Sequence, residues 1–175
     1  MPEVSFCLSI LGLIVLIIAS LIKGEKMKTT LLLVFSGNVL VALSYVFAID
    51  GINGAVSSFI GATQAIVNYI FNAKKKPVPI WLIVIYALSF IVVNLAVLKS
   101  AVGILAIMAT LCFVGCVLAK SGKVYRIWQA TNCGLWIIYD VLTKSYAPLV
   151  THAVLCSFTI IGILINDFKK IKEKN

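Results

Sequence analysis

A bundle of seven membrane-spanning α-helices is the fold class this sequence predicts, and three observations predict it. Of its 175 residues, 62% are hydrophobic and only 12% are charged, and the mean hydropathy is +1.10. The apolar residues fall into seven runs, each about as long as the roughly 20 residues a helix needs to cross the hydrocarbon core. The basic residues then collect at alternate ends of those runs, as membrane-flanking charge does. Little chain is left over for a soluble domain. The formal charge of +9 belongs to these small flanking clusters and not to a polar helix face, so nucleic acid is not an expected partner.

In order, the expected spans are 5–22, 29–49, 52–73, 80–98, 101–119, 124–143 and 147–166. Helices are expected over strands because the runs lack two-residue alternation and each span must satisfy its own backbone amides in lipid. The first run is not expected to be a cleaved signal peptide: acidic Glu3 precedes it and its lysines follow it. If all seven runs cross, one face receives Lys23, Lys26, Lys28, Lys74, Lys75, Lys76, Lys120, Lys123, Arg126, Lys169, Lys170, Lys172 and Lys174; the other receives only Lys99 and Lys144. The positive-inside rule then places the amino terminus outside and the carboxyl terminus in the cytoplasm. The third span is the most polar, with Ser57, Ser58, Thr63, Gln64 and Asn68. It is read as crossing because a re-entrant segment would strand Lys74–Lys76 on the wrong side.

An internal repeat is expected from two stretches, NVLVALSY at 38–45 and NCGLWIIY at 132–139. One ungapped offset of 94 pairs Asn38 with Asn132, Tyr45 with Tyr139, Asn72 with Asn166 and Lys75 with Lys169. Four spans separate the copies, so they run the same way through the membrane: a first triplet over 5–76, a linker helix over 77–99 and a second triplet over 100–170. Pro77 and Pro79 stiffen the lead into the linker.

A 3+1+3 arrangement of parallel triplets is similar to that of the SWEET and SemiSWEET sugar transporters and the PnuC vitamin-precursor transporters. Through GNVLVALSYVFAIDGINGAVSS and ATNCGLWIIYDVLTKSYAPLVTHA, the whole chain resembles the YgjV family of bacterial inner-membrane proteins, a resemblance that implies the bacterial inner membrane as location. The architecture implies transport. The chain departs from the sugar-transporter pattern in having no proline in the first or fifth span, and Gly162 where the third span has Asn68.

The intramembrane polar residues are the candidate site. Asn38 and Asn132 lie near the centres of their spans, Tyr45 shares a face with Asn38, and Trp136 and Tyr139 share one with Asn132. On the third span Ser57, Gly61, Gln64, Asn68 and Asn72 form a polar stripe. Asn38, Tyr45, Gln64, Asn68, Asn132, Trp136 and Tyr139 are thus the expected substrate-binding residues, suited to a small neutral or planar solute. The competing reading is that these groups join helices, at about 0.6 kcal/mol per hydrogen bond on average, in a non-transporting scaffold or regulatory protein. Asp50, Asp140 and the single histidine, His152, lie toward the outer ends of their spans and are expected to be accessory. Cys7, Cys112, Cys116, Cys133 and Cys156 are expected to pack between helices, with no metal site and no cofactor. No catalytic residue and no enzyme activity are expected, for want of a phosphate loop, a metal motif or a nucleophile with its base. The lipid bilayer is the expected partner; self-association is left open.

Overall fold

The computed structural model describes residues 2–22, 26–47, 52–96, 103–142 and 146–168. Asp50, Lys23, Lys99, Lys144 and the lysines from 169 onward lie outside them. The described residues form seven helices and no strand: α1 (Pro2–Leu21), α2 (Met27–Val46), α3 (Ile52–Ala73), α4 (Ile80–Ala96), α5 (Gly103–Leu118), α6 (Gly122–Leu142) and α7 (Tyr146–Ile163), the last running into a π-helical turn, Leu164–Phe168.

Local chemistry explains several ends. Helix α3 closes where Lys75 takes a left-handed φ of 53°. The Lys76 N–H then reaches back to the Phe71 carbonyl and the Lys75 N–H to that of Asn72, the paired bonds of a Schellman cap. Pro77 and Pro79, lacking N–H groups, hold the chain out of helix until the Pro79 carbonyl accepts the first amides of α4, from Leu82 and Ile83. Ser121 begins α6, its carbonyl accepting from the Tyr125 N–H at 2.9 Å and its hydroxyl from the Val124 N–H at 3.4 Å.

Among the described residues, three helical stretches are long and apolar enough to cross a membrane: Glu3–Leu21, Met27–Val46 and Leu149–Asp167; Ile80–Ala96 and Ile104–Leu118 are apolar but shorter. Their outward surfaces bear large apolar side chains, including Phe6, Leu11 and Ile14 on α1 and Trp81, Leu88 and Val92 on α4. An apolar exterior wrapped around polar side chains inverts the pattern of a soluble bundle and is what lipid requires. The chain is a membrane protein.

Helices consecutive in sequence pack side by side from α1 to α3 and from α5 to α7; α3 meets α5 and α1 meets α7. Six helices therefore close a ring, with α4 outside it against α3 and α5. The main core draws Ala19 from α1, Leu31 and Val34 from α2, Ala65 from α3, Val117 from α5 and Tyr125 from α6. A second cluster, Tyr86, Phe90 and Val114, seats α4. Small residues set the closest approaches. A Cβ on Gly162 would stand 2.6 Å from the Ser20 carbonyl oxygen, and one on Gly12 would stand 2.8 Å from Val41 Cγ2, so α7 and α2 both lie on α1 at distances larger residues forbid.

Exposed Lys26, Lys28, Lys74, Lys75, Lys76, Lys120 and Lys123 mark one end of the bundle, where α1, α3, α5 and α7 finish. Arg126, expected among these flanking charges, is instead turned inward.

Candidate functional site

Helix α6 supplies the axis of the polar interior. Gly122, Tyr125, Arg126, Gln129, Asn132, Cys133 and Asp140 are its buried residues, and their three- and four-residue spacing puts them on one face. That face carries Arg126 near the lysine-rich end, Asn132 midway and Asp140 near the opposite end. At about 1.5 Å per residue the two charges stand roughly 21 Å apart.

At the lysine-rich end Arg126 is 1% exposed. Its Nε donates to Asp167 Oδ2 at 2.9 Å, its Nη2 to Oδ1 at 2.7 Å, and its Nη1 to the Ile22 carbonyl at 2.7 Å. The two-pronged pairing matches the planar guanidinium to the carboxylate. The π-helical turn after α7 presents both Asp167 and Asn166, whose Nδ2 donates to the Leu21 carbonyl at 3.0 Å. Helix α1 ends with carbonyls that have no intrahelical donor, and side chains from α6 and from the turn after α7 satisfy two of them.

Midway, the expected site residues divide. Asn132 donates from Nδ2 to the Ala109 carbonyl of α5 at 2.6 Å. Asn38 donates to the Val34 carbonyl of its own helix at 2.8 Å, and its Oδ1 lies against Gly61, where a Cβ would stand 3.2 Å away. Phe113 of α5 closes on the same glycine. Each asparagine is thus bonded to its own neighbour, and the two amides do not pair. Asn68 spans from α3 to α5, donating to the Val117 carbonyl at 2.9 Å. One turn before it on the same face, Gln64 is 0% exposed. Gln64 Nε2, Gln64 Oε1 and Asn68 Oδ1 are buried without a hydrogen-bond partner. An unsatisfied buried group costs about 1–3 kcal/mol, so three together are a costly concentration.

At the opposite end Asp140, 2% exposed, lies with Oδ2 at 2.7 Å from Nδ1 of His152. In the tautomer that carries its proton on Nδ1, the imidazole donates and the carboxylate oxygen accepts. The imidazole stacks on Trp136, with centroids 5.5 Å apart and planes at 11°, and Tyr139 meets the same indole edge-on at 5.4 Å. Tyr45 is half-buried near the C-terminal end of α2. Of the expected residues, Trp136 and Tyr139 therefore gather here, around two residues the sequence analysis treated as accessory.

Arg126, Asp167, Asp140 and His152 are what sequence reasoning underweighted. One signal was present: Arg126 and Asp140 are fourteen residues apart on a face that also holds Gln129, Asn132 and Cys133, a polar stripe too long to sit toward lipid. Among the described residues no group of three His, Cys, Asp or Glu side chains is placed to hold a metal. Set against protein-family models, curated proteins and solved structures, the chain has no match, and its geometry alone carries the functional reading.

Proposed function

We propose that this chain carries a small solute across the bacterial inner membrane by alternating access, its seven helices crossing as two parallel triplets, α1–α3 and α5–α7, with α4 as linker. The observation that carries the proposal is the trio of buried, unpartnered amide atoms on Gln64 and Asn68, at the seam where α3 of one triplet meets α5 of the other. A solute offering hydroxyl or amide groups would satisfy them, and a site at the repeat interface is where such carriers bind. The neighbour pattern supports two-fold related triplets: exchanging them turns the α3–α5 seam into the α7–α1 seam and leaves the ring unchanged. Alternating access also needs a closure on each side. Arg126 ties the second triplet to Ile22 of the first at the lysine-rich end, and the Asp140 cluster lies at the other. The lysine-rich end is cytoplasmic and the amino terminus outside by the positive-inside rule.

Flux into proteoliposomes across a panel of sugars, nucleosides and amino acids tests this. At least one solute should enter faster than into empty vesicles, and Gln64→Leu should abolish that entry in a folded protein. Entry unchanged by Gln64→Leu, or no entry at all by well-folded protein, sinks the proposal.

A scaffold or regulatory protein is the second reading, favoured by Asn132 and Asn38 bonding directly to backbone carbonyls. Under it, alanine at both positions would unfold the protein and alter no flux.

A further inference from the structure

We propose that the cluster at the end opposite the lysines recognises a small organic cation with N–H donors, a protonated amine or amidine, and that the His152 ring occupies this site as a tethered competitor. The use of the site in transport rests on the function proposed above; binding does not.

The arrangement around His152 is that of a bound ligand. Its ring lies flat on Trp136 at 11° and 5.5 Å while its Nδ1 reaches Asp140 at 2.7 Å. An indole face and a carboxylate, both aimed at one flat nitrogen-bearing group, form a receptor for a cation. The ring quadrupole attracts positive charge at its face. A carboxylate only 2% exposed gains most from a charged, hydrogen-bonding partner. Tyr139, set at 88° to the indole, holds its plane. His152 itself keeps 24% of its side chain exposed, so the ring can be reached, and displaced, from outside the bundle. A neutral solute would gain the stacking and forgo the charge.

Benzamidine and benzamide make the test, being close in shape but differing in charge. The full chain in lipid nanodiscs, carrying Trp81→Phe and Trp128→Phe so that Trp136 alone reports, is titrated with each compound. Benzamidine should change Trp136 fluorescence saturably, and benzamide at equal concentration should not. Removing the competitor with His152→Ala should tighten benzamidine binding about ten-fold, the gain expected if the ring leaves the site open about one-tenth of the time. Asp140→Asn should abolish binding with or without His152. Because His152 is the only histidine, its imidazole NMR signals in the unsubstituted chain give a second readout needing no variant: benzamidine should shift them and benzamide leave them in place. Equal responses to both compounds, binding that survives Asp140→Asn, or no gain in His152→Ala would each overturn the proposal. Benzamidine binding in a protein that moves no solute would uphold this site while removing the transport reading.

Discussion

Arg126 bears directly on stability, because a guanidinium 1% exposed cannot do without its partner. Arg126→Ala leaves Asp167 without its bidentate partner and the Ile22 carbonyl without its donor; the expected loss is about 3–5 kcal/mol, the usual cost of breaking a buried pair from one side. Replacing both charges, Arg126→Met with Asp167→Leu, should cost much less. Thermal unfolding in detergent compares them, and a double variant as damaged as the single would show that the ion pair is not the source. Gln64 works in the opposite sense. Gln64→Leu removes two unsatisfied buried atoms at about 1–3 kcal/mol each, so the melting temperature should rise while flux is lost. A lower melting temperature would mean that the amide has a structural partner.

At the scale of the element, helix approach and helix ending each yield a prediction. Gly162→Ala places a methyl 2.6 Å from the Ser20 carbonyl oxygen, whereas the same change at Gly134 meets nothing within 4 Å. The first should destabilise by about 1–3 kcal/mol as α7 is pushed off α1. The second should be neutral or stabilising by up to about 1 kcal/mol, since alanine is the better helix former. Parallel melts of the two variants decide it, and equal effects would refute the close contact. Lys75 holds a left-handed φ of 53° that costs a side-chain-bearing residue about 1–2 kcal/mol. Lys75→Gly keeps the cap of α3 and should raise the melting temperature; a fall would show that the lysine side chain contributes more than its backbone costs.

At the scale of the whole molecule, six helices form a ring with α4 against its outside, and the ring's two seams, α1 with α7 and α3 with α5, are held in different ways. At the first, Gly162 admits a close backbone approach and Arg126 and Asn166 cap α1. At the second, Asn68 bridges to Val117. The seam with the charged clamp is the tighter, and the one with unpartnered amides is where a solute gains most. Sidedness can be measured on the molecule as a whole. In a cysteine-free background, Glu3→Cys should react with a membrane-impermeant maleimide on intact cells, while Lys75→Cys and Lys120→Cys should react only after permeabilisation. Labelling of Lys75→Cys in intact cells would reverse the proposed orientation.

The sequence by itself determined the helical class, the seven segments and nearly all their limits: the observed helices begin and end within three residues of the expected spans. Apolar run length, lysine clusters and the prolines at 77 and 79 are local signals, and backbone hydrogen bonds in lipid must be satisfied within the segment, so local signals suffice. Which polar groups meet was decided by tertiary structure. Periodicity placed Asn38 and Tyr45 on one face but said nothing of how that face is turned. The partners of Arg126 lie 41 and 104 residues away and that of Asn166 lies 145 away. Such pairings depend on how each helix rotates against its neighbours, set here by close contacts such as Gly162 on Ser20. That rotation turned Arg126, expected as a flanking charge, into an internal clamp, and made His152 and Asp140 the centre of a cluster in which the aromatic residues had been the expected feature.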